Sequence, residues 1–367
     1  MGAILDPIAA MPTLAGSPGI RLRQFRGVDL DIAGMAAANQ ASRNADGEVE
    51  PIDVDEMRVS YQHHERCDPD RDICVIELDG EIAGYTRVFW DDLILEDLRE
   101  YFAVSLLRPD VRRPEIRRAV LDWSEQRRRA IARGHRASGE ALDRPLWFGT
   151  DYPDGDIETA DLLRASGYVP IRRFASLIRP DLEAIVDAPM PEGIETRPIT
   201  RDGPLLRRIW EAEVEAFRDH FGAREPTEKD CAFFLDEPGR DLALWFIAFD
   251  GEEVAAGVRC VVKPNADGIR EGWLEPVFTR RAWRRRGIAR ALIARSLVGL
   301  RAYGVERAAL GVDLQNPNQA LRLYESSGFQ VQSSSTGWRK QLVLEGPAMD
   351  GATPATTPAQ ATAGAAR

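Results

Sequence analysis

The feature that most constrains this chain is an internal repeat. GIRLRQF at 19–25 echoes GIETRPI at 193–199, and ICVIELDGEIAG at 73–84 echoes LWFIAFDGEEVAAG at 244–257. Each copy of the second pair has an apolar strand, an Asp-Gly turn and another strand, the pattern of a β-hairpin. LLRASGYVPIRR at 162–173 echoes LYESSGFQV at 323–331, in each case a helix stopped by Gly and followed by a strand that an aromatic residue leads. The pairs keep their order and an offset of about 160 to 175 residues, as a duplicated domain does. Three matches in register predict two tandem domains of one α/β (α+β mixed-sheet) class, over residues 19–178 and 193–345, with a linker at 179–192 that carries Pro180, Pro189 and Pro191. Residues 1–18 and 346–367, rich in Ala, Thr, Gly and Pro without periodicity, read as flexible tails.

With 367 residues, 44% of them hydrophobic and 29% charged, each half is long enough to bury its own core. A net charge of −11 and a pI near 5.1 argue against a surface built to hold nucleic acid or an anionic membrane. Cys67, Cys74, Cys231 and Cys260 form no CxxC pair, and no His or Cys cluster has zinc spacing, so no metal is expected and a reduced, cytoplasmic compartment fits. The N-terminal stretch has no basic n-region, and the longest apolar run, 242–249, is too short to span a bilayer.

The informative stretch runs from Gly272 to Phe329. GWLEPVFT at 272–279 reads as a strand interrupted at Pro276, where the missing donor marks an edge, a bulge or a splayed pair. A helix follows, because Ala289, Leu292, Ile293, Ser296, Leu297 and Leu300 recur at alternating spacings of three and one. ERAALGVDL at 306–314 is the next strand. NPNQALRLYESSG at 316–328 reads as a second helix, with Pro317 in its first turn and Gly328 as its cap. Strand, helix, strand, helix implies a right-handed crossover and a central parallel strand pair flanked by helices.

At the first junction stand Arg284, Arg285, Arg286, Gly287, Ile288, Ala289 and Arg290. A tight turn into a helix N-terminus aims several unpaired N–H groups at one point, next to the positive end of the macrodipole, and so suits a pyrophosphate. The small Gly287 and Ala289 would let phosphate approach the backbone, and six arginines in 280–290 supply charge. The same run also reads as a solvated basic face or a nucleic-acid patch. It is neither a Walker loop nor a dinucleotide GxGxxG motif.

These residues resemble the GNAT family of acetyltransferases, whose signature is Arg/Gln-x-x-Gly-x-Gly/Ala. Arg284, Gly287 and Ala289 occupy those places, and VDLQNPNQALRLYESSGF looks like the family's second motif through Asn316, Ala320, Tyr324, Gly328 and Phe329. The resemblance covers 193 to about 342, and through the repeat 20–178, a layout similar to tandem-GNAT proteins. It implies an acetyl-coenzyme A-dependent N-acetyltransferase acting on a small-molecule amine by direct attack through a tetrahedral intermediate. It also implies that Val277, Phe278 and Thr279 hold the acyl arm, with the Val277 N–H polarising the thioester oxygen. The turn at 284–290 would then bind the pyrophosphate, and Tyr324 would protonate the departing thiolate. By helical spacing alone Tyr324 is a core aromatic. Asn316 reads equally as a ligand of the pantetheine arm and as a helix N-cap.

A general base must take the amine proton. Glu275 is the first candidate, since strand alternation puts it on the face of Val277 and Thr279, and Asp313 is the second. IWEAEVEAFRDHFG at 209–222, with Glu211, Glu213, Glu215, Asp219 and His220, reads as an acidic acceptor wall or a solvent-facing acidic surface. In the N-terminal copy, aligning VRRPEIRRAV with RRRGIARAL puts Glu115 at Gly287, Arg117 at Ala289 and Leu163 at Tyr324. That copy is expected to be silent, a scaffold or part of the acceptor pocket. An acyl-coenzyme A-sensing regulator and a nucleic-acid binder are the competing classes. Tyr324 with the strand 277–279 favours catalysis, and the acidity disfavours nucleic acid. A monomer or a homodimer is expected.

Overall fold

The computed structural model describes residues 17–48, 52–62, 66–140, 143–236, 241–264 and 270–344. The expected tails fall outside them except for Ser17 and Pro18. The first half runs β1 (Ile20–Gln24), α1 (Val28–Ala45), α2 (Val54–Gln62), α3 (Pro69–Asp72), β2 (Ile73–Leu78), β3 (Glu81–Leu93), β4 (Leu98–Leu107), α4 (Pro114–Ser138), β5 (Leu146–Pro153), α5 (Ile157–Ala165) and β6 (Val169–Arg179). The second half repeats the order, without an α-helical counterpart of α3, as β7 (Ile194–Thr196), α6 (Gly203–Phe217), α7 (Glu228–Asp236), β8 (Trp245–Asp250), β9 (Glu253–Pro264), β10 (Arg270–Thr279), α8 (Ile288–Ala302), β11 (Arg307–Asp313), α9 (Ala320–Ser326) and β12 (Gln330–Gln341). The glycines that close the two equivalent helices, Gly167 and Gly328, sit at φ 86° and 88°, the left-handed cap that glycine adopts without a Cβ penalty.

The expected pair of mixed sheets is one continuous sheet of twelve strands, ordered β1-β2-β3-β4-β5-β12-β6-β11-β10-β9-β8-β7. Each half lends its last strand to the other. β12 pairs with β5, β6 pairs with β11, and the two lent strands run antiparallel to one another. An antiparallel pair has a local two-fold relation between its strands, so the repeat is arranged about the β6–β12 contact. The cores follow the strands. Trp338 and Leu342 pack into the first half's apolar cluster, and Ala175 and Leu177 into the second's.

In each half the central strand pair is parallel and short. β4 and β5 pair over 99–103 with 146–150, and β10 and β11 only over 271–273 with 307–309. Beyond Trp273 the β11-facing edge of β10 has no strand partner, so the sheet opens there. β10 also carries a bulge between Leu274 and Val277, at the proline that cannot donate to a ladder. Its counterpart β4 pairs with β3 without a register shift.

Candidate active site

α8 begins where the sheet opens. Its N-cap, Gly287, has φ 87° and ψ 0°, and Arg285 has φ 64°. A non-glycine residue held at positive φ is strained, and such strain persists where the surroundings impose it. Left-handed residues alternating with right-handed ones turn successive N–H groups into one concavity, an anion-binding nest. None of the N–H groups of residues 285–290 finds a backbone acceptor among the described residues. A Cβ on Gly287 would meet no described protein atom within 4 Å, so within the protein glycine is required there by its backbone angle.

The arginines divide into two groups. Arg280 pairs with Glu215 and Glu253, Arg281 and Arg284 with Asp219, and Arg286 with Asp250 at 3.6 Å. Arg284 is the clamp of the turn. It donates to Asp219 at 2.5 and 2.9 Å, to the Thr279 carbonyl at 3.1 Å and to the Ala216 carbonyl at 2.9 Å. Its hydrogen bonds hold the Asp219 carboxyl down to about 2. Arg285 and Arg290 have no carboxylate partner among the described residues and line the cleft. They are the charges free to meet an anion.

The cleft between the splayed strands has a volume of about 520 Å³. It brings together Val277, Phe278, Thr279, Arg284, Arg285, Gly287, Ile288, Ala289, Arg290, Asn316 and Tyr324. Tyr324 is 7% exposed, its ring meets Phe329 edge-on at 6.1 Å, and its hydroxyl makes no hydrogen bond with a described residue. Burial pushes the phenol up to about 12, so it keeps its proton at neutral pH. Asn316 is neither N-cap nor first helical residue, because α9 starts only at Ala320, after Gln319 at φ 57°. The Asn316 side chain instead accepts from the Asn318 N–H at 2.8 Å, an Asx turn that shapes this wall. Phe217, Trp283 and Leu323 also line the cleft; as apolar members of helices and turns they carried no signal that separates them from core.

Arg286 and Glu275 lie outside the cleft. The bulge in β10 breaks the alternation that placed Glu275 beside Val277, and Glu275 faces a second cavity of about 430 Å³ with Glu48, Phe174, Phe217, His220, Phe221 and Asp313. Asp313 is bound by Arg172 of β6 at 2.5 to 3.1 Å. The acidic wall resolves into ion pairs: Glu211 with Arg207, Glu213 with Arg259, Glu215 with Arg280. α6 ends at Phe217, which leaves Asp219 and His220 in the turn after it. Burial pushes the Cys260 thiol up to about 12, so it is a thiol and not a nucleophilic thiolate.

The N-terminal copy has a cleft of about 300 Å³ at the equivalent place. Ile116, Ala119, Val120 and Ser124 of α4 are buried like Ile288, Ala291, Leu292 and Ser296 of α8, which keeps the ungapped register. However, α4 starts two residues earlier, on Pro114, from an extended Arg113, and the left-handed turn is absent. Glu115 accepts from Ser17. Arg117 is buried, pairs with Asp156 at 2.5 Å and donates to Thr159. Leu163 is buried at the Tyr324 position.

The sequence profile of the acetyltransferase (GNAT) family matches residues 206–329. The match lies in the second half of the chain, over the turn and cleft just described, and makes that half similar to the GNAT family. The mycothiol acetyltransferase of Streptomyces scabiei is 30% identical over 155 residues, 41% of this chain and 48% of that protein. The mycothiol acetyltransferase of Thermobispora bispora is 29% identical over 188 residues, 50% of this chain and 61% of that protein. The chain thus matches less than two thirds of the length of either relative. A GCN5-related N-acetyltransferase from Sphaerobacter thermophilus superposes with a TM-score of 0.68 at 22% identity, covering 88% of this chain and 96% of that one. A tandem GNAT protein from the clavulanic acid biosynthesis pathway gives 0.60 at 14% identity, covering 88% and 98%. At these identities the likeness is one of fold, and the fold is that of a tandem GNAT protein. Among the described residues no helix is long and apolar enough to cross a membrane.

Proposed function

We propose that this protein is a GNAT-type, acetyl-coenzyme A-dependent N-acetyltransferase that works through its C-terminal cleft on the primary amine of a small molecule. The observation that carries the reading is the nest at residues 285–287. It opens into α8 with unpaired N–H groups, flanked by two uncommitted arginines, at the mouth of a cleft whose far wall holds an unpartnered, protonated Tyr324. The N–H groups and Arg285 and Arg290 suit the pyrophosphate. The unpaired edge of β10 from Val277 to Thr279 suits the pantetheine and thioester, with the Val277 N–H as oxyanion donor. Tyr324 serves as the acid for the departing sulfur. The second cavity, which meets the cleft at Phe217 and His220, suits the acceptor. Because β6 supplies Phe174 to its wall and Arg172 as partner of Asp313 there, and Glu48 after α1 also lines it, the N-terminal half contributes to acceptor recognition.

Calorimetry should find one acetyl-coenzyme A per chain, lost in Gly287→Glu and kept in Glu115→Ala. The purified protein should release free thiol from acetyl-coenzyme A with at least one amine of a panel holding glucosamine, spermidine, an aminoglycoside and a peptide N-terminus. Two equivalent sites would refute the silent N-terminal copy. Binding without thiol release on a broad panel would favour a sensing protein over an enzyme.

A further inference from the structure

We infer that His220 is the general base of this reaction, held at its post by the N-terminal half of the chain. The inference rests on the acetyltransferase reading above and deepens it. Phe217 and His220 are the two residues that line both the cleft and the second cavity. A proton acceptor for the attacking amine belongs at that boundary, where a thioester from one side meets an amine from the other. Glu275 faces the acceptor side alone. Asp313 is taken by Arg172, and Glu48 accepts from Arg43 at 2.7 Å.

The imidazole suits the task. Its ring packs edge-on against Phe217 with centroids 4.5 Å apart, and neither ring nitrogen makes a hydrogen bond with a described residue, which leaves both for substrate or water. Burial is the first of the causes that lower its pKa from 6.5. Asp219 in its own turn and Asp313 of β11 oppose that effect, while Arg284 before α8 and Arg172 of β6 add to it; Glu275 of β10 and Glu48 are the further carboxylates of the cavity. At neutral pH the ring is therefore the free base.

The turn that carries it is tied to the first half. The Ile94 N–H donates to the Ala223 carbonyl at 2.8 Å, Leu93 and Arg224 form an antiparallel bridge, and the Gly222 N–H donates to Glu96 at 3.1 Å. The guanidinium groups of Arg172 and Arg339 lie 5.0 and 4.8 Å from the centre of the Phe221 ring. The last residue of β3 and two residues of the β3–β4 turn thus fix the segment next to His220. In the step itself a neutral amine nitrogen forms the C–N bond to the thioester carbonyl carbon and gives one proton to His220. The C–S bond breaks with its electron pair on sulfur, sulfur takes a proton from Tyr324, and water returns the His220 proton to the phenolate.

The test uses the full chain and the panel amine that it acetylates fastest. His220→Gln should lower kcat about 100- to 10,000-fold while the acetyl-coenzyme A Kd stays within about twofold, as a loss confined to the transition state requires. The wild-type kcat/KM should fall with acidity below pH 6.5, where imidazolium replaces imidazole, and His220→Gln should lack that limb. Imidazole in the buffer should restore turnover to His220→Ala. Wild-type kcat in His220→Gln, or an acid limb kept there and lost in Glu275→Gln, would overturn the assignment and leave the cofactor site standing. Loss of acetyl-coenzyme A binding together with turnover would mark a structural role and overturn it too. A wild-type chain that binds no acetyl-coenzyme A would take down both readings.

Discussion

A single phenol shows how the cleft changes what a residue does. On a helical wheel Tyr324 belongs to the apolar stripe, and in the fold it is indeed buried, against Phe329. What separates it from a core aromatic is a hydroxyl without a partner among the described residues, on the wall of a cavity, since buried tyrosines normally find one. Burial pushes its pKa up to about 12, so in the proposed reaction it would enter protonated and act only once negative charge grows on sulfur. Tyr324→Phe should therefore lower kcat roughly 10- to 1000-fold and leave the acetyl-coenzyme A Kd nearly unchanged, measured by single-turnover kinetics beside calorimetry. Unchanged single-turnover rates would return the residue to a packing role. Gly287 makes the complementary point. Its place in the sequence signature is legible, but its φ of 87° with Arg285 at 64° is not, because a backbone angle leaves no trace in hydropathy.

At the scale of elements, what the sequence reveals is what local chemistry decides. The β2–β3 and β8–β9 hairpins, the Gly-stopped helices and the buried stripe of α8 all follow from turn residues and periodicity. Three things did not follow. Pro317 marks a helix start, yet Gln319 in a left-handed conformation delays α9 to Ala320, a choice that the Asx turn at Asn316 makes. The bulge at Pro276 was legible as an irregularity, but not its result, the transfer of Glu275 to another cavity. The exchange of β6 and β12 is invisible to any local rule, because an antiparallel partner from the other half looks like a partner from the same half. It does have an energetic signature. Trp338 of β12 is 3% exposed within the first half's core, with the Arg164 guanidinium 5.1 Å from its ring. Trp338→Ala should cost about 3 to 5 kcal/mol by denaturant unfolding, and the first half should loosen with it. Val343→Ala, at a position 68% exposed, should change stability by less than about 0.5 kcal/mol. Equal effects from the two would contradict the exchange.

For the whole molecule the exchange decides what the first half is for. A chain of two independent domains could lose its first and keep the second intact. Here the first half supplies β6, which lies between β11 and β12, buries Leu177 in the second half's core, gives Arg172 to Asp313 and grips the turn that carries His220. Without β6, a fragment of residues 190–344 would keep the nest and Tyr324 but leave β11, with Ala308, Ala309 and Leu310 all buried in the full chain, as an open sheet edge. Such an edge recruits other chains. The fragment alone should aggregate or form oligomers, as read by size-exclusion chromatography with light scattering. Produced together with residues 17–189, it should form a soluble one-to-one complex that binds acetyl-coenzyme A, because the missing strand returns in trans. A soluble, monomeric fragment that acetylates the same amine as efficiently as the full chain would mean that β6 contributes neither to the sheet's integrity nor to the acceptor site, and the account of the first half as structural partner of the second would fail.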